Sequence, residues 1–86
     1  MKNGGNMENW NKLKEILAQV LQIDPSEITE ESSPDTIPNW DSFNGLMLVT
    51  ELEKTFHVKF TMDEIIAVKT VKDIREALQQ HGVDKI

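Results

Sequence analysis

Three segments of this chain repeat apolar residues at helical spacing, and residues that start or stop helices bound each segment. We predict a first helix over Glu8–Leu21, a second over residues 42–56 and a last one over residues 71–81. A shorter helix fits residues 62–68, because a Thr-x-x-Glu capping box opens it. The pattern predicts an all-α four-helix bundle with three longer helices, a short third helix and a long loop after the first.

The connections between these helices differ in length and character. Residues 29–41 form a long polar loop, and its apolar members Ile37 and Trp40 are expected to pin it to the helices. An Asp-Pro pair at residues 24–25 predicts a single helical turn before that loop. Residues 57–60 alternate like a strand, but the chain offers no partner strand, so we interpret them as an extended connection.

The length of 86 residues suits one small domain, which buries only about 60% of the surface of its unfolded chain. We expect a single domain over residues 8–82, a flexible tail over residues 1–7 and a short tail over residues 83–86. The N-terminal residues lack the apolar core of a signal peptide. No apolar run approaches the ~20 residues that a membrane span needs. A cytoplasmic monomer is the expectation.

The composition excludes several classes of function. Cysteine is absent, which excludes disulfides, zinc–thiolate sites and thiol nucleophiles. The net charge is -6, from 15 acidic and 9 basic residues, and such a surface repels nucleic-acid phosphates. The same charge would favour basic faces on partner proteins, although solubility alone would also explain it.

Side chains able to catalyse reactions or bind metals are present without forming a recognisable arrangement. His57 and His81 fall at predicted helix ends, far in sequence from Ser42, which disfavours a Ser-His-Asp triad. The paired carboxylates are interpreted as solvated faces or caps. The acidic run from residue 35 lacks the glycine and the closing glutamate of a calcium loop, and no glycine-rich phosphate loop occurs. These residues predict no metal site and disfavour a hydrolytic triad.

Ser42 stands where the long loop ends and the second long helix begins. A serine in this position is ordinarily an N-cap, and Asp41 just before it could serve equally well. The serine hydroxyl could instead be a handle for a covalently attached group. The local residues therefore allow both a cap and an attachment site.

Residues 40–78 resemble acyl and peptidyl carrier proteins. The tripeptide at 41–43 is Asp-Ser-Phe where these proteins have Asp-Ser-Leu, and residues 48–56 look like their second helix. Residues 60–64 and 70–74 are similar to the starts of their third and fourth helices. The tripeptide alone is unspecific, but the tripeptide within this four-helix layout is a specific signal. The resemblance extends weakly over the first helix.

This resemblance implies an acyl-carrier fold and a role without catalysis. A phosphopantetheinyl transferase would attach 4'-phosphopantetheine from coenzyme A to Ser42, with Asp41 assisting the transferase. The thiol of that arm would hold acyl or aminoacyl groups as thioesters for acyl-loading and acyl-processing enzymes. Phe43 is expected to plug the top of the bundle and so to turn the serine outward.

The resemblance also implies a partner face on the second helix and the short helix. Its candidates are Leu46, Met47, Thr50, Glu53, Asp63 and Glu64. Leu46 and Met47 could equally be core residues. Carriers of fatty-acid synthesis have a more acidic second helix, and the Trp-Asp-Ser form looks like discrete carriers of specialised pathways. We therefore expect polyketide, non-ribosomal peptide or surface-polymer chemistry. The alternatives are an unmodified adaptor of the same fold and, more remotely, a small serine hydrolase.

Overall fold

A computed structural model describes residues 8–86 and shows four α-helices. The helices are α1 (Glu8–Leu21), α2 (Ser42–Phe56), α3 (Met62–Ala67) and α4 (Val71–Gln80). A 3-10 turn at Pro25–Glu27 lies within the connection between α1 and α2. The predicted all-α bundle with a short third helix is confirmed. The described residues contain no strand, so residues 57–60 form a connection.

Side-chain caps fix where α3 and α4 begin. The hydroxyls of Thr61 and Thr70 accept hydrogen bonds from backbone N–H groups three residues later. Glu64 and Asp73 return a bond to the backbone N–H of the capping threonine, which completes two capping boxes. Gly82, with a φ of 92°, follows the end of α4, where a left-handed residue favours glycine.

The core lies where the apolar faces of α1, α2 and α4 meet. Leu48 and Leu52 are one turn apart on α2 and both are buried, as are Leu13 and Leu17 on α1. Such a four-residue spacing puts the side chains on one face of a helix. The remaining buried apolar side chains are Ala18, Leu21, Ile28, Ile37, Trp40, Val71, Ile74, Leu78 and Ile86.

The long connection between α1 and α2 is fastened to α4. The backbone N–H groups of Val71 and Lys72 donate to the carbonyls of Ser32 and Glu30, both at 3.0 Å. These N–H groups open a helix and have no partner within it, so the loop satisfies donors that would otherwise need water. Arg75 Nη1 also lies 2.8 Å from Glu30 Oε2. The loop is therefore part of the folded domain.

The C-terminal residues correct one sequence-based prediction. Residues 83–86 were expected to form a tail, but Ile86 is buried in the core. The N–H groups of Asn9 and Trp10 both donate to the carbonyl of Lys85 at 3.1 Å, which ties the C-terminus to the start of α1. Val83 is also partly buried against this core, so the apolar residues after α4 gain by packing there. The expected tail at residues 1–7 lies outside the described residues.

Candidate functional site

Ser42 is the first residue of α2 and its side chain is exposed. Asp41, and not Ser42, caps the helix: Asp41 Oδ1 accepts from the N–H of Asn44 at 2.9 Å. The Asp41 carbonyl accepts the first intrahelical bond from the N–H of Gly45 at 2.8 Å. Within residues 8–86, no hydrogen bond occupies the Ser42 hydroxyl. Asp41 therefore provides the cap, and the Ser42 side chain remains accessible.

The start of α2 also offers backbone donors. With Asn44 bonded to the cap, the N–H groups of Ser42 and Phe43 have no acceptor among the described residues. Unpaired N–H groups and the positive dipole end make a helix N-terminus favourable for a phosphate. A phosphate ester on the Ser42 hydroxyl fits this environment.

A short network of amide side chains holds this corner in place. Asn39 Nδ2 donates to the carbonyl of Leu21 at the end of α1, at 2.8 Å. The carbonyl of Asn39 in turn accepts from Asn44 Nδ2 at 2.8 Å and from the N–H of Asp41 at 3.0 Å. The loop end is thus bonded to both α1 and α2, which fixes the position from which Ser42 projects.

Phe43 does not plug the bundle, so that prediction is wrong. Its side chain is 71% exposed. Trp40 occupies the inward position at this end instead and is only 7% exposed. The reason is geometric, because Leu48 and Leu52 set the buried face of α2 and Phe43 lies off that face. The loop, and not the helix, supplies the large apolar side chain that closes the core here.

A cavity of about 610 Å³ begins at Ser42 and continues between α2, α3 and α4. This volume falls within the range of small-molecule sites in proteins. Most of the lining is apolar, while Asp41, Ser42 and Glu64 contribute polar groups. The lining residues are Pro34, Trp40, Asp41, Ser42, Gly45, Leu46, Leu48, Val49, Leu52, Phe60, Glu64, Ile65, Val68, Ile74 and Ala77.

Four of the predicted partner-face residues are exposed. Leu46 and Met47 are 60% and 43% exposed, which rules out the alternative that they are core residues. Thr50 and Asp63 are exposed as well, although the Thr50 hydroxyl donates to the Leu46 carbonyl at 3.1 Å. Leu46, Met47 and Thr50 are therefore accessible on α2.

The other two partner-face residues, Glu53 and Glu64, bind within the protein. Glu53 Oε2 accepts from the N–H of Phe60 at 2.9 Å and so holds the connection after α2. Glu64 Oε1 accepts from the N–H of Thr61 at 2.8 Å, and Glu64 Oε2 lies 2.9 Å from His81 Nε2. The Thr61 N–H, and then His81, lower the pKa of Glu64 below its ordinary value. Both carboxylates have structural roles.

Two exposed apolar residues were not predicted as part of the partner face. Met62 and Ile66 on α3 are both largely exposed. Their spacing of four residues places them on one helix face, and that spacing was the available signal. We use the name apolar face for the exposed apolar residues of α2 and α3, which are Phe43, Leu46, Met47, Met62 and Ile66.

Within residues 8–86, neither histidine forms a hydrogen bond with Ser42. His57 follows the last residue of α2, whereas Ser42 is the first, and a helix of this length separates them by roughly 22 Å. His81 Nε2 is bonded to Glu64. No cluster of three potential metal ligands occurs in the described part of the chain. No helix among residues 8–86 is long and apolar enough to cross a membrane.

Comparison with known proteins decides the family. Residues 11–78 match the family profile described as a phosphopantetheine attachment site. An acyl carrier protein from Phytoplasma mali is 32% identical over 72 residues, which cover 84% of this chain and 86% of the relative. The chain belongs to the acyl carrier protein family. Membership confirms the resemblance noted in the sequence.

Further acyl carrier proteins are similar over comparable lengths. The protein from Thermosynechococcus vestitus is 35% identical over 67 residues, covering 78% of this chain and 83% of the relative. The one from Helicobacter hepaticus is 31% identical over 68 residues, covering 79% and 90%. An acyl carrier protein is a carrier and not a catalyst, and its covalent cofactor is 4'-phosphopantetheine. When attached, that group supplies a terminal thiol on which acyl groups are held as thioesters.

Proposed function

We propose that Ser42 is the residue to which 4'-phosphopantetheine is attached in this acyl carrier protein. The observation that carries the proposal is that Asp41 caps α2 and leaves the adjacent serine hydroxyl exposed. The free N–H groups of Ser42 and Phe43 would stabilise the phosphate of the ester. The bonds through Asn39 hold the attachment point steady on the bundle.

Asp41 assists the transferase in this proposal. Its Oδ1 is occupied by the Asn44 N–H, while its Oδ2 makes no hydrogen bond among the described residues. That second oxygen belongs to the residue directly before Ser42 and is available to the transferase, including to a metal ion that the transferase brings. Asp41 Oδ1 therefore caps the helix, while Asp41 Oδ2 assists the transferase.

The cavity that starts at Ser42 is proposed to shelter an apolar part of the cargo. Its walls include Leu46, Val49, Ile65 and Val68. Burial of each methylene group against such walls contributes about 0.8 kcal/mol. Acyl groups gain from this environment in proportion to their apolar length, whereas a short polar aminoacyl group gains less.

The partners are proposed to be a phosphopantetheinyl transferase and the acyl-loading and acyl-processing enzymes of a specialised pathway of polyketide, peptide or surface-polymer type. The apolar face supports this choice, because Glu53 and Glu64 are bonded internally and Asp63 is the exposed acid among the predicted partner-face residues. A partner with a strongly basic patch gains little from such a face. The carrier acts as a cytoplasmic monomer in this account.

Intact-mass spectrometry tests the attachment site. The protein is incubated with coenzyme A and a broad-specificity phosphopantetheinyl transferase. We expect one added phosphopantetheine unit in the wild type and none in Ser42→Ala. Ser26→Ala is the matched control, since Ser26 is also exposed but lies on the 3-10 turn, and it should load fully. An adduct on Ser42→Ala, or none on the wild type, refutes the proposal.

A further inference from the structure

Trp40 has a buried side chain whose indole N–H remains accessible and has no hydrogen-bond partner within residues 8–86. Its side chain is 7% exposed and lines the cavity beside Asp41 and Ser42. The hydrogen bonds at this corner, within the described residues, run through Asn39, Asp41 and Asn44 and do not include the indole N–H. Arg75 Nε is the one buried side-chain nitrogen or oxygen without a partner in residues 8–86, so the Trp40 indole N–H is accessible from the cavity and not enclosed in the core.

Gly45 opens the space beside that donor. A Cβ at Gly45 would lie 3.8 Å from Trp40 Nε1, so the two residues are neighbours across the cavity wall. Gly45 has ordinary helical backbone angles, so its conformation does not require glycine. Glycine inside a helix reduces stability relative to alanine. The missing side chain therefore calls for another explanation, and the open space next to Nε1 supplies one.

The open space between Gly45 and Trp40 Nε1, which we call the notch, belongs to the same cavity as Ser42. Gly45 is three residues after Ser42, a rise of about 4.5 Å along α2. Both residues line the same cavity. The backbone N–H of Trp40 donates to the Ile37 carbonyl at 3.0 Å, and the flanking residues are bonded to α1 and α2. These backbone and flanking bonds hold the indole ring in place.

We propose that the Trp40 indole N–H, exposed through the notch at Gly45, donates a hydrogen bond to a carbonyl oxygen of the prosthetic arm or of its cargo. Trp40 is then a positioning residue that fixes where the loaded group enters the cavity. This inference rests on the attachment of the arm to Ser42. It adds a polar requirement to an otherwise apolar cavity: the group at its mouth must present an acceptor oxygen.

The indole N–H signals of the ¹⁵N-labelled full chain test the proposal. The chain has two tryptophans, and Trp10→Phe and Trp40→Phe assign their signals. Four forms are compared: unmodified, carrying the arm alone, and loaded from hexanoyl- or 3-oxohexanoyl-coenzyme A. We expect the Trp40 indole proton to move downfield and to exchange with water roughly two- to tenfold more slowly, as a hydrogen bond of ordinary net strength gives. Trp10, whose ring faces Arg75 at 5.3 Å, should not respond.

The form that first shows the response identifies the acceptor. A response with the arm alone assigns an amide carbonyl of the arm. A response that needs hexanoyl loading assigns the carbonyl joining cargo to arm, and one that needs the 3-oxo group assigns that ketone. Mass spectrometry on each sample confirms the loading. An unchanged Trp40 signal in every correctly loaded form overturns the proposal while the attachment site stands, whereas failure to load overturns both.

Gly45→Ala separates the proposed role from a loss of folding. Its methyl group would meet Trp40 Nε1 at an ordinary contact distance, so no clash is expected. Alanine also favours the helix, and the melting temperature should rise. The indole response to loading should disappear, because the methyl group occupies the notch. A full response in a stabilised Gly45→Ala protein would overturn the role of Gly45.

Discussion

Leu46 and Leu52 are the same residue type on the same helix, yet Leu46 is 60% exposed and Leu52 is 1% exposed. Six residues separate them, which is about 240° of rotation at roughly 100° per residue, so they project to different sides of α2. Leu52 meets the core with Leu48, four residues earlier. Leu46, like Phe43 and Met47, remains exposed.

The comparison shows that apolar character alone does not define the core of this carrier. The inner face of α2 holds the bundle together, and the apolar face remains available for partner enzymes in the proposed function. An exposed apolar face of this kind is characteristic of an interaction surface. Substitutions on the two faces of α2 test whether one face stabilises the fold and the other binds partners. Substitutions at Asp41 and Glu64 test the roles given to these two carboxylates.

The largest effect is expected from Leu52→Ala. It leaves a cavity in the core and should reduce the free energy of unfolding by about 2–5 kcal/mol, a large share of the roughly 5–15 kcal/mol of a typical domain. The matched variant Leu46→Ala should change it by no more than about 0.5 kcal/mol. Urea denaturation followed by circular dichroism measures both. Equal losses would contradict the distinction between the two faces.

Substitution of Asp41 should have an intermediate effect on stability and a separate effect on the rate of loading. Asp41→Ala removes the helix cap and should cost about 1 kcal/mol of unfolding free energy, whereas Asp41→Asn keeps a competent cap and most of the stability. Both variants lack the carboxylate and should be loaded more slowly by the transferase. Denaturation and the initial rate of loading are measured side by side. Wild-type loading of Asp41→Asn would show that the carboxylate does not assist.

Met47→Glu should alter partner choice with little effect on stability. The new charge lies on an exposed residue, so unfolding should change by less than about 0.5 kcal/mol. Transfer to enzymes that contact the apolar face should slow. Gln79→Glu is the matched control, because it adds the same charge to an exposed position on α4. The measurement is the rate of acyl transfer between each variant and a panel of acyl-processing enzymes. Identical rates for both variants would remove Met47 from the partner face.

The smallest effect concerns pH and the Glu64–His81 pair. The Thr61 N–H and His81 lower the pKa of Glu64, so its contribution to stability is complete above its ordinary pKa and is lost as pH falls through the lowered one. Melting temperatures between about pH 6 and pH 3 should therefore fall more in the wild type than in Glu64→Gln. Asp24, whose pKa the Ser26 N–H lowers, titrates in both proteins and cancels in the difference. Parallel curves would contradict this role of Glu64.

Local patterns were sufficient to predict the helices. The bounds of α1 and α2 agree with the predicted ones, because the apolar spacing and the breakers at their ends act within a few residues. The capping box at Thr61 has the predicted form for the same reason. The exposure of Ser42 also agrees with the predicted site, since the start of a long helix after a polar loop seldom lies inside a core.

Features that depend on distant residues could not be predicted. The bond from Val71 to Ser32 and the salt bridge from Arg75 to Glu30 join positions with no shared sequence motif. Phe43 was misplaced because the sequence does not reveal that Trp40 fills the same end of the core. The contact between Glu64 and His81 could not be predicted for a similar reason, since only the folded chain brings the two residues together.

The central claim is that the exposed hydroxyl of Ser42 carries the arm. Proteolysis of the loaded wild-type protein, followed by tandem mass spectrometry, locates the modification on a single residue. We predict that the fragment ions place the whole phosphopantetheine mass on Ser42, with Ser26, Ser32 and Ser33 unmodified. Localisation on any of those three serines would contradict the account.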